Sequence, residues 1–216
     1  MRAVSDLSSQ DAHQRSTLPR AVPFLRWGGP PVEHGVLRVA AAADITFIEE
    51  RWATLLRGTK ADDANWDWRG KLSDLFAPLG VQHIVAVADD EVQGTLVTTL
   101  PLATPHDWYA DALYVEYVAT APWNRTELGK GHHGLVRVGP IYKGVGPTLL
   151  RHAALRSLAV GRGGRVALHS VPGAVANYTR YGLSPKGPDQ EDPKLERFFG
   201  DAVWAQTFLA PRGMTP

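Results

Sequence analysis

Cysteine is absent from the 216 residues of this chain. Without cysteine the chain cannot form disulfides, bind zinc through thiolates or use a thiol nucleophile. No apolar run approaches the roughly 18 residues that a membrane-spanning helix needs, and the N-terminal residues lack the apolar segment of a secretory signal. We therefore expect a cytoplasmic protein with no membrane partner.

Acidic residues are missing from one long stretch. The net charge is only +1, yet residues 128–188 contain no Asp or Glu and nine Lys or Arg. Residues 36–127 have the opposite bias, with fourteen acidic and seven basic residues. A region without carboxylates favours a polyanionic ligand, although a chance run on a solvated face would look the same.

The order of the predicted elements indicates a mixed α/β fold. Residues 1–35 are polar and broken by four prolines, so we expect an N-terminal arm, partly mobile, followed by a single domain over 36–216. Apolar periodicity predicts a strand from Val36 and helices over about 44–58 and 63–76. The remaining predicted elements are a hairpin turning at 88–94, a strand over 113–120, a helix over 144–161, a strand over 165–171 and a helix over 172–182. The segments 197–199 and 204–209 could each be strand or short helix.

Gly144-Val145-Gly146 stands directly before the predicted helix that contains Pro147 in its first turn and Arg151 one turn on. The first N–H groups of a helix are free to bind an anion, and glycines let a phosphate approach the backbone closely. Lys143 adds positive charge. A tight turn without a ligand would have the same local sequence. The spacing excludes a Walker P-loop and a dinucleotide fingerprint, whose third glycine is replaced by Leu149.

The block KGVGPTLL, residues 143–150, resembles the pyrophosphate-binding motif of the GNAT superfamily of acyl-CoA-dependent N-acyltransferases. Three further segments resemble that family in the expected order: LYVEYVATAPWNR its central strand, RVALHSV the next parallel strand, and AVANYTRYGL the following helix. The resemblance covers about residues 81–183, and WDW at 66–68 with ATAPWNR is similar to a poorly characterised bacterial branch. It implies a mixed, mostly antiparallel sheet with splayed central parallel strands, flanked by helices.

The resemblance also implies acetyl-CoA, or another acyl-CoA, as co-substrate. The residues that match the family's cofactor-binding positions are Val118, Ala119, Thr120, Lys143, Gly144, Val145, Gly146 and Thr148. Glu116 would be the base that deprotonates the acceptor, and Tyr178 the acid that protonates the departing thiolate. Glu116 could equally be a structural carboxylate, and Tyr178 a packed helix residue with Tyr181 one turn later.

Three residues are candidates for an acceptor pocket: Trp66, Trp123 and Asn124. The last two could instead pin the loop that follows the central strand. His132 and His133 are adjacent and have no ligand partner at helical spacing, so we expect no metal. His169, on a buried strand, is expected to be a hydrogen-bonded core residue.

These features predict transfer of an acetyl group to a primary amine by direct attack in a ternary complex, since no thioester can form on the enzyme. The acceptor would be a small-molecule or peptide amine, and the acidic region would suit a cation. Two alternatives stay open: a non-catalytic acyl-CoA-binding module that acts as a sensor or assembly partner, and a nucleic-acid binder using residues 128–188. The second is disfavoured because that segment lacks interleaved aromatic residues. A homodimer is compatible with such a fold.

Overall fold

A computed structural model describes residues 17–26, 31–73, 80–100, 107–125 and 142–210, without the side chains of residues 31–34 and 71–73. The described strands form one mixed, mostly antiparallel sheet flanked by helices, which confirms the predicted fold class. The chain divides into two compact units. We call Leu18–Thr99 with Glu116–Leu149 the first unit, and Met1–Thr17, Leu100–Val115 and Leu150–Pro216 the second unit.

Five strands of the first unit lie in the order β6-β1-β2-β3-β4 and pair antiparallel. Their bounds are β1 (Arg20–Arg26), β2 (Pro31–Val39), β3 (Gln82–Ala88), β4 (Glu91–Thr99) and β6 (Tyr142–Lys143). The expected strand start at Val36 was wrong, because β2 begins at Pro31 and pairs with a strand inside the predicted arm. In β1 only Val22 and Phe24 are buried, so the apolar signal was too short to predict a strand. The division into an arm and one domain stays a prediction.

The predicted first helix of this unit is confirmed, with a π-helical turn in its middle. It consists of α1 (Ala42–Phe47), the turn Ile48–Trp52 and α2 (Ala53–Leu56). Asp44 accepts a hydrogen bond from the Ala41 N–H at 2.7 Å and forms an ion pair with Arg38 at 2.6 Å. The carboxylate of Asp44 thereby fixes the start of α1.

The second predicted helix begins later than expected: α3 spans Trp68–Ser73, and the rest of the predicted range, 74–76, lies outside the described residues. Asp67 Oδ1 accepts from the Gly70 N–H at 2.9 Å, as a residue that caps a helix does. The expected start at Asp63 was wrong because the carboxylate of Asp63 is bound by Arg125 instead, at 2.5 and 2.7 Å.

Asp89 and Asp90, with φ of 50° and 58°, make the turn between β3 and β4. This turn is tighter than the predicted one.

The second unit contains β7, β8 and β9 and the first three residues of β5, whose remaining residues belong to the first unit, and these strands lie in the order β5-β7-β9-β8. They are β5 (Leu113–Thr120), β7 (Val166–Ser170), β8 (Ser184–Pro188) and β9 (Glu196–Gly200). β5 and β7 pair in parallel from Leu113↔Val166 to Val115↔Leu168, whereas β9 is antiparallel to both of its neighbours. The helices are α4 (Val145–Ala159), which begins in the first unit, α5 (Val175–Arg180) and α6 (Ala202–Leu209). The two undecided segments are therefore a strand, β9, and a helix, α6.

Within the described segments, none of the helices combines the length and apolar character required to cross a bilayer.

Candidate functional site

The glycine turn before α4 has the geometry of an N-terminal helix cap. Gly144 has φ of +83°, a conformation that side-chain-bearing residues rarely adopt. Its carbonyl accepts from the Thr148 N–H at 2.9 Å, and a Cβ at Gly144 would meet nothing within 4 Å. The glycine is therefore needed for its backbone conformation and not for lack of space. We call residues 143–148 the cradle.

The cradle has the electrostatics of an anion site. The first N–H groups of an α-helix have no intrahelical partner and carry a partial positive charge. The first turn of α4 contains no acidic residue, and Lys143 and Gly144 are exposed. Pro147 has no N–H, so the main-chain donors of this turn come from Gly144, Val145 and Gly146.

Gly94 on β4 seats the start of α4. A Cβ at Gly94 would lie 2.6 Å from Val145 Cγ1 and 2.9 Å from Leu149 Cδ1. Only a glycine lets the helix approach the strand this closely. Val145 is 2% exposed, so its side chain serves packing and its backbone faces the cradle. Gly94 is not among the predicted site residues, although a glycine inside an apolar strand is a sign of close backbone approach.

Gln93, next to Gly94, is a second residue that the sequence analysis missed. Its amide is 1% exposed and its Oε1 accepts from Trp123 Nε1 at 2.8 Å and from Asn124 Nδ2 at 2.9 Å. Its Nε2 donates to the Ala88 carbonyl at 3.1 Å. Trp123 and Asn124 thus make the loop-pinning contacts that were one of their two expected roles, and their contact with substrate stays a prediction.

Asn124 also connects to the cradle. Its Oδ1 accepts from the Tyr142 N–H at 2.9 Å, and the Tyr142 hydroxyl donates to Asp89. Burial, together with this bond to Asp89, raises the pKa of Tyr142 to about 12. Because Tyr142 directly precedes Lys143, these bonds fix the entry of the chain into the cradle.

The end of β5 is held by a buried ion pair. Arg125 donates from Nε to the Thr120 carbonyl at 2.8 Å and forms a two-bond contact with Asp63, in which both side chains are at most 13% exposed. The structure thus already gives the Thr120 carbonyl one hydrogen bond; a carbonyl has a second acceptor site. Ala119 is buried, and Val118 and Thr120 are half-buried. Their predicted contacts with pantetheine stay a prediction.

Glu116, in the middle of β5, is half-buried. Its Oε1 accepts from Thr99 Oγ1 at 2.9 Å, which fixes the orientation of the carboxylate. A side chain that is both fixed and partly desolvated suits a base, and it also suits a structural carboxylate.

Trp66 belongs to an aromatic cluster of the first unit. Its ring centroid lies 5.2 Å from that of Trp68 and 5.5 Å from that of Tyr117. Trp68 is 2% exposed, as expected for a core residue, whereas Trp66 is half-buried. Part of the Trp66 side chain is therefore accessible to solvent.

In the second unit, Tyr178 is 8% exposed and packs against Phe198, with ring centroids 5.6 Å apart. Burial raises the pKa of Tyr178, and Tyr181 raises it further. The phenol therefore stays protonated, as a general acid must before it reacts. The contact with Phe198 also agrees with a packing role, so the assignment stays a prediction.

Two basic residues of the acid-free segment donate hydrogen bonds to main-chain carbonyls. Arg151 donates to the carbonyls of Phe208 and Leu209, the second at 2.8 Å, and so caps the end of α6. Arg162 donates to the Ala110 carbonyl at 2.8 Å.

The expected hydrogen bonding of His169 is confirmed: its Nε2 lies 2.9 Å from Asp189 Oδ2. No group of three or more metal-ligating side chains occurs in the described part of the chain. His132 and His133 lie outside the described residues.

No family model and no curated protein matches this sequence. Solved structures do match. The GNAT domain of S. lividans PAT is 17% identical, with a TM-score of 0.51 over 85% of this chain and 96% of that one. Aminoglycoside acetyltransferase AAC(6')-Ib, in complex with coenzyme A and kanamycin, is 15% identical, with a TM-score of 0.51 over 80% and 98%. This chain has the GNAT fold. At 15–17% sequence identity, the structural similarity establishes the fold. The shared fold supports the resemblance of the sequence motifs to the GNAT superfamily.

Proposed function

We propose that this chain is an N-acetyltransferase that transfers an acetyl group from acetyl-CoA to a primary amine. The observation that carries the proposal is the cradle, an acid-free helix start with a left-handed glycine. The hydrogen bond of the Tyr142 N–H to Asn124 and the close packing of α4 on Gly94 fix the position of the cradle within a GNAT fold. The aminoglycoside acetyltransferase of similar fold was crystallised with coenzyme A, which supports the same class of cofactor here.

The cradle would bind the pyrophosphate of the cofactor through the main-chain N–H groups of Gly144, Val145 and Gly146. Lys143 would add charge and Thr148 a hydroxyl. Val118, Ala119 and Thr120 would meet the pantetheine arm through backbone groups, as a strand does with an added peptide.

The reaction would proceed by direct attack of the amine on the thioester. In this scheme Glu116, oriented by Thr99, takes a proton from the acceptor ammonium. Tyr178 gives its proton to the departing CoA sulfur, and the tyrosinate that remains takes the second proton of the nitrogen. No covalent enzyme intermediate is needed, since both substrates bind together.

The acceptor would be a cationic amine, either a small molecule or a peptide. Trp66 offers a partly exposed aromatic ring, which attracts cations and apolar groups, and residues 36–127 carry twice as many acidic as basic residues. Trp123 and Asn124 would shape this pocket from the loop after β5.

Calorimetric titration with acetyl-CoA and CoA tests the proposal, using the Gly146→Asp variant. A carboxylate at the helix start repels the phosphates and occupies the N–H groups, so the affinity should fall at least 100-fold. The same carboxylate interacts favourably with the helix dipole, so the variant should stay folded.

Val160→Asp is the matched control, because Val160 follows α4 at its other end and is 40% exposed. This variant adds the same charge just beyond the far end of α4, and it should leave the affinity for acetyl-CoA and CoA unchanged. If the natural chain bound neither acetyl-CoA nor CoA, the acetyltransferase proposal would be abandoned.

Activity is then measured as release of free CoA thiol with spermidine, kanamycin and a lysine-containing peptide as acceptors. Since the protein contains no cysteine, every thiol detected comes from CoA. Glu116→Gln and Tyr178→Phe should each lower kcat by about 100-fold or more, as loss of a general base or acid does. Binding without any acetyl transfer would mean that the chain is an acyl-CoA-binding module.

A further inference from the structure

An arginine of the first strand lies beside the entry to the cradle. β1 and β6 pair antiparallel, with Leu25 opposite Lys143 and Arg26 opposite Tyr142. Opposite residues of an antiparallel pair have Cα atoms about 5 Å apart, so Arg26 is an immediate neighbour of the residue that precedes the cradle. These residues all belong to the first unit. The proposed function assigns no role to Arg26.

The Arg26 side chain lies on the same face as the Tyr142 ring. Side chains of directly opposite residues share one face of a sheet. Nη2 of Arg26 lies 3.9 Å from Oδ2 of Asp89, the oxygen to which the Tyr142 hydroxyl donates. Burial and the bond to Asp89 raise the pKa of Tyr142, and the positive charge of Arg26 acts on this pKa in the opposite direction. The guanidinium is therefore close to the side chain that leads into the cradle.

The contact with Asp89 leaves the guanidinium able to bind an anion. The Arg26 side chain is 55% exposed, and 3.9 Å exceeds the length of an N–H···O hydrogen bond. An exposed ion pair contributes little to stability. A guanidinium has several N–H donors in a fixed planar arrangement. Because the distance to Asp89 is too long to satisfy these donors, a bound phosphate can attract the side chain.

The charge of a bound pyrophosphate exceeds the positive charge at the helix start. A pyrophosphate that links two groups carries two negative charges, whereas a helix N-terminus is equivalent to about half a positive charge. Lys143 adds one full charge. Arginine can bind two phosphate oxygens through parallel hydrogen bonds, whereas lysine acts as a point charge. A guanidinium beside the cradle therefore supplies both the missing charge and directed donors.

We propose that Arg26 binds the pyrophosphate of the cofactor at the cradle, an inference that rests on the proposed function. On binding, the guanidinium turns from Asp89 to the phosphate oxygens, while the N–H groups of the cradle hold the other oxygens. The resemblance of the sequence to the GNAT superfamily covers about residues 81–183 and does not include β1. The strand inside the predicted N-terminal arm thus becomes part of the cofactor site.

Calorimetric titration of the full chain with acetyl-CoA tests this inference in Arg26→Gln and Arg26→Lys. Glutamine removes the charge and keeps the main-chain pairing of β1 with β6, so the affinity should fall about tenfold, as for loss of a hydrogen bond to a charged group. Lysine restores the charge without the paired donors and should recover part of the loss. The difference between the natural chain and Arg26→Gln should shrink between about 50 and about 500 mM salt, because salt screens exposed charges.

Dephospho-CoA shows which phosphate Arg26 binds. This compound keeps the pyrophosphate of CoA and lacks its 3′-phosphate. Arg26→Gln should therefore lose the same factor of affinity for dephospho-CoA as for CoA. If the loss occurs with CoA and disappears with dephospho-CoA, Arg26 contacts the 3′-phosphate and the assignment to the pyrophosphate is wrong.

Arg51→Gln is the matched control. The Arg51 side chain is 61% exposed and, like that of Arg26, makes a long ion pair, at 3.7 Å from Glu91. Arg51 lies on the π-helical turn Ile48–Trp52. This variant removes the same charge from the first unit and should bind acetyl-CoA as the natural chain does. An equal loss of affinity in Arg51→Gln and Arg26→Gln would show an effect of net charge alone and would overturn the assignment.

The remaining outcomes separate this inference from the proposed function. If the natural chain binds acetyl-CoA and Arg26→Gln keeps the full affinity, the role of Arg26 is refuted and the proposed function stands. A loss that is the same in Arg26→Lys and at every salt concentration would come from a disturbed strand, and it also refutes the role. If the natural chain binds neither acetyl-CoA nor CoA, both proposals fail together.

Discussion

Helices α4 and α6 begin in opposite ways. At α6, Asp201 accepts from the Trp204 N–H at 2.7 Å, so the protein supplies its own anion to the helix start. At α4 the corresponding residue is Gly144, which has no side chain, and the first turn has no acidic residue. A carboxylate cap contributes about 1 kcal/mol of stability, which α4 forgoes. Under the proposed function, the N–H groups at the start of α4 bind the phosphates of the cofactor, which is the role that Asp201 fills at α6.

The difference extends to how each helix start is held. Asp201 stabilises α6 locally, from within three residues. The start of α4 depends on Gly94 and Asn124, which are distant in sequence. An open helix end thus has to be positioned by the sheet, and the following variants test this, starting with the largest effect.

Gly94→Ala should displace the start of α4. The new methyl would lie 2.6 Å from Val145 Cγ1, so the free energy of unfolding should fall by about 1–3 kcal/mol, as in other overpacked cores. The affinity for acetyl-CoA should fall at least tenfold in calorimetry.

Val145→Ala supplies the control for this pair. The double variant should lose less stability than the sum of the two single variants, because the Val145 methyl group that makes the closest clash is gone. Strict additivity would show that Gly94 does not seat the helix.

Asn124→Ala should loosen the entry into the cradle. It removes the acceptor of the Tyr142 N–H and a donor to Gln93, so we expect a loss of about 1–2 kcal/mol in urea unfolding and a several-fold weaker affinity for CoA. Asn177→Ala, which removes an exposed asparagine on α5, should change neither quantity. An unchanged CoA affinity in Asn124→Ala would separate the loop from the cradle.

Asp201→Ala should have the smallest effect, and only on stability. Loss of the cap should cost about 1 kcal/mol, while binding of acetyl-CoA stays the same. Asp201→Asn keeps the accepting oxygen and should recover most of the loss. A change in affinity would contradict the separate roles of the two helix starts.

Local sequence predicted the elements whose signals are local. The strand 113–120 and the helix after Gly144 have clear apolar patterns and turn residues, and the structure confirms them. Strand β1 could not be predicted, because two buried side chains among exposed ones give too short a pattern and its pairing with β2 is a tertiary effect.

In the candidate site, too, the residues of a contiguous motif were predicted, whereas residues whose contacts are distant in sequence were not. The cradle was found because a glycine turn before a helix is a contiguous motif. Gln93 and Gly94 were missed because their roles depend on residues about thirty and fifty positions away. The roles proposed for Glu116 and Tyr178 come from their positions in the segments that resemble the GNAT superfamily.

Pro147 has a consequence for how this protein can vary. Helix α4 cannot begin earlier than Val145. If it did, the Pro147 ring would clash with the carbonyl of Lys143, and Pro147 has no N–H group to donate to that carbonyl. The first residue of α4 is therefore fixed by covalent chemistry, whatever the length of the chain that leads to it. Insertions or deletions before Tyr142 can accumulate while the cradle keeps its register.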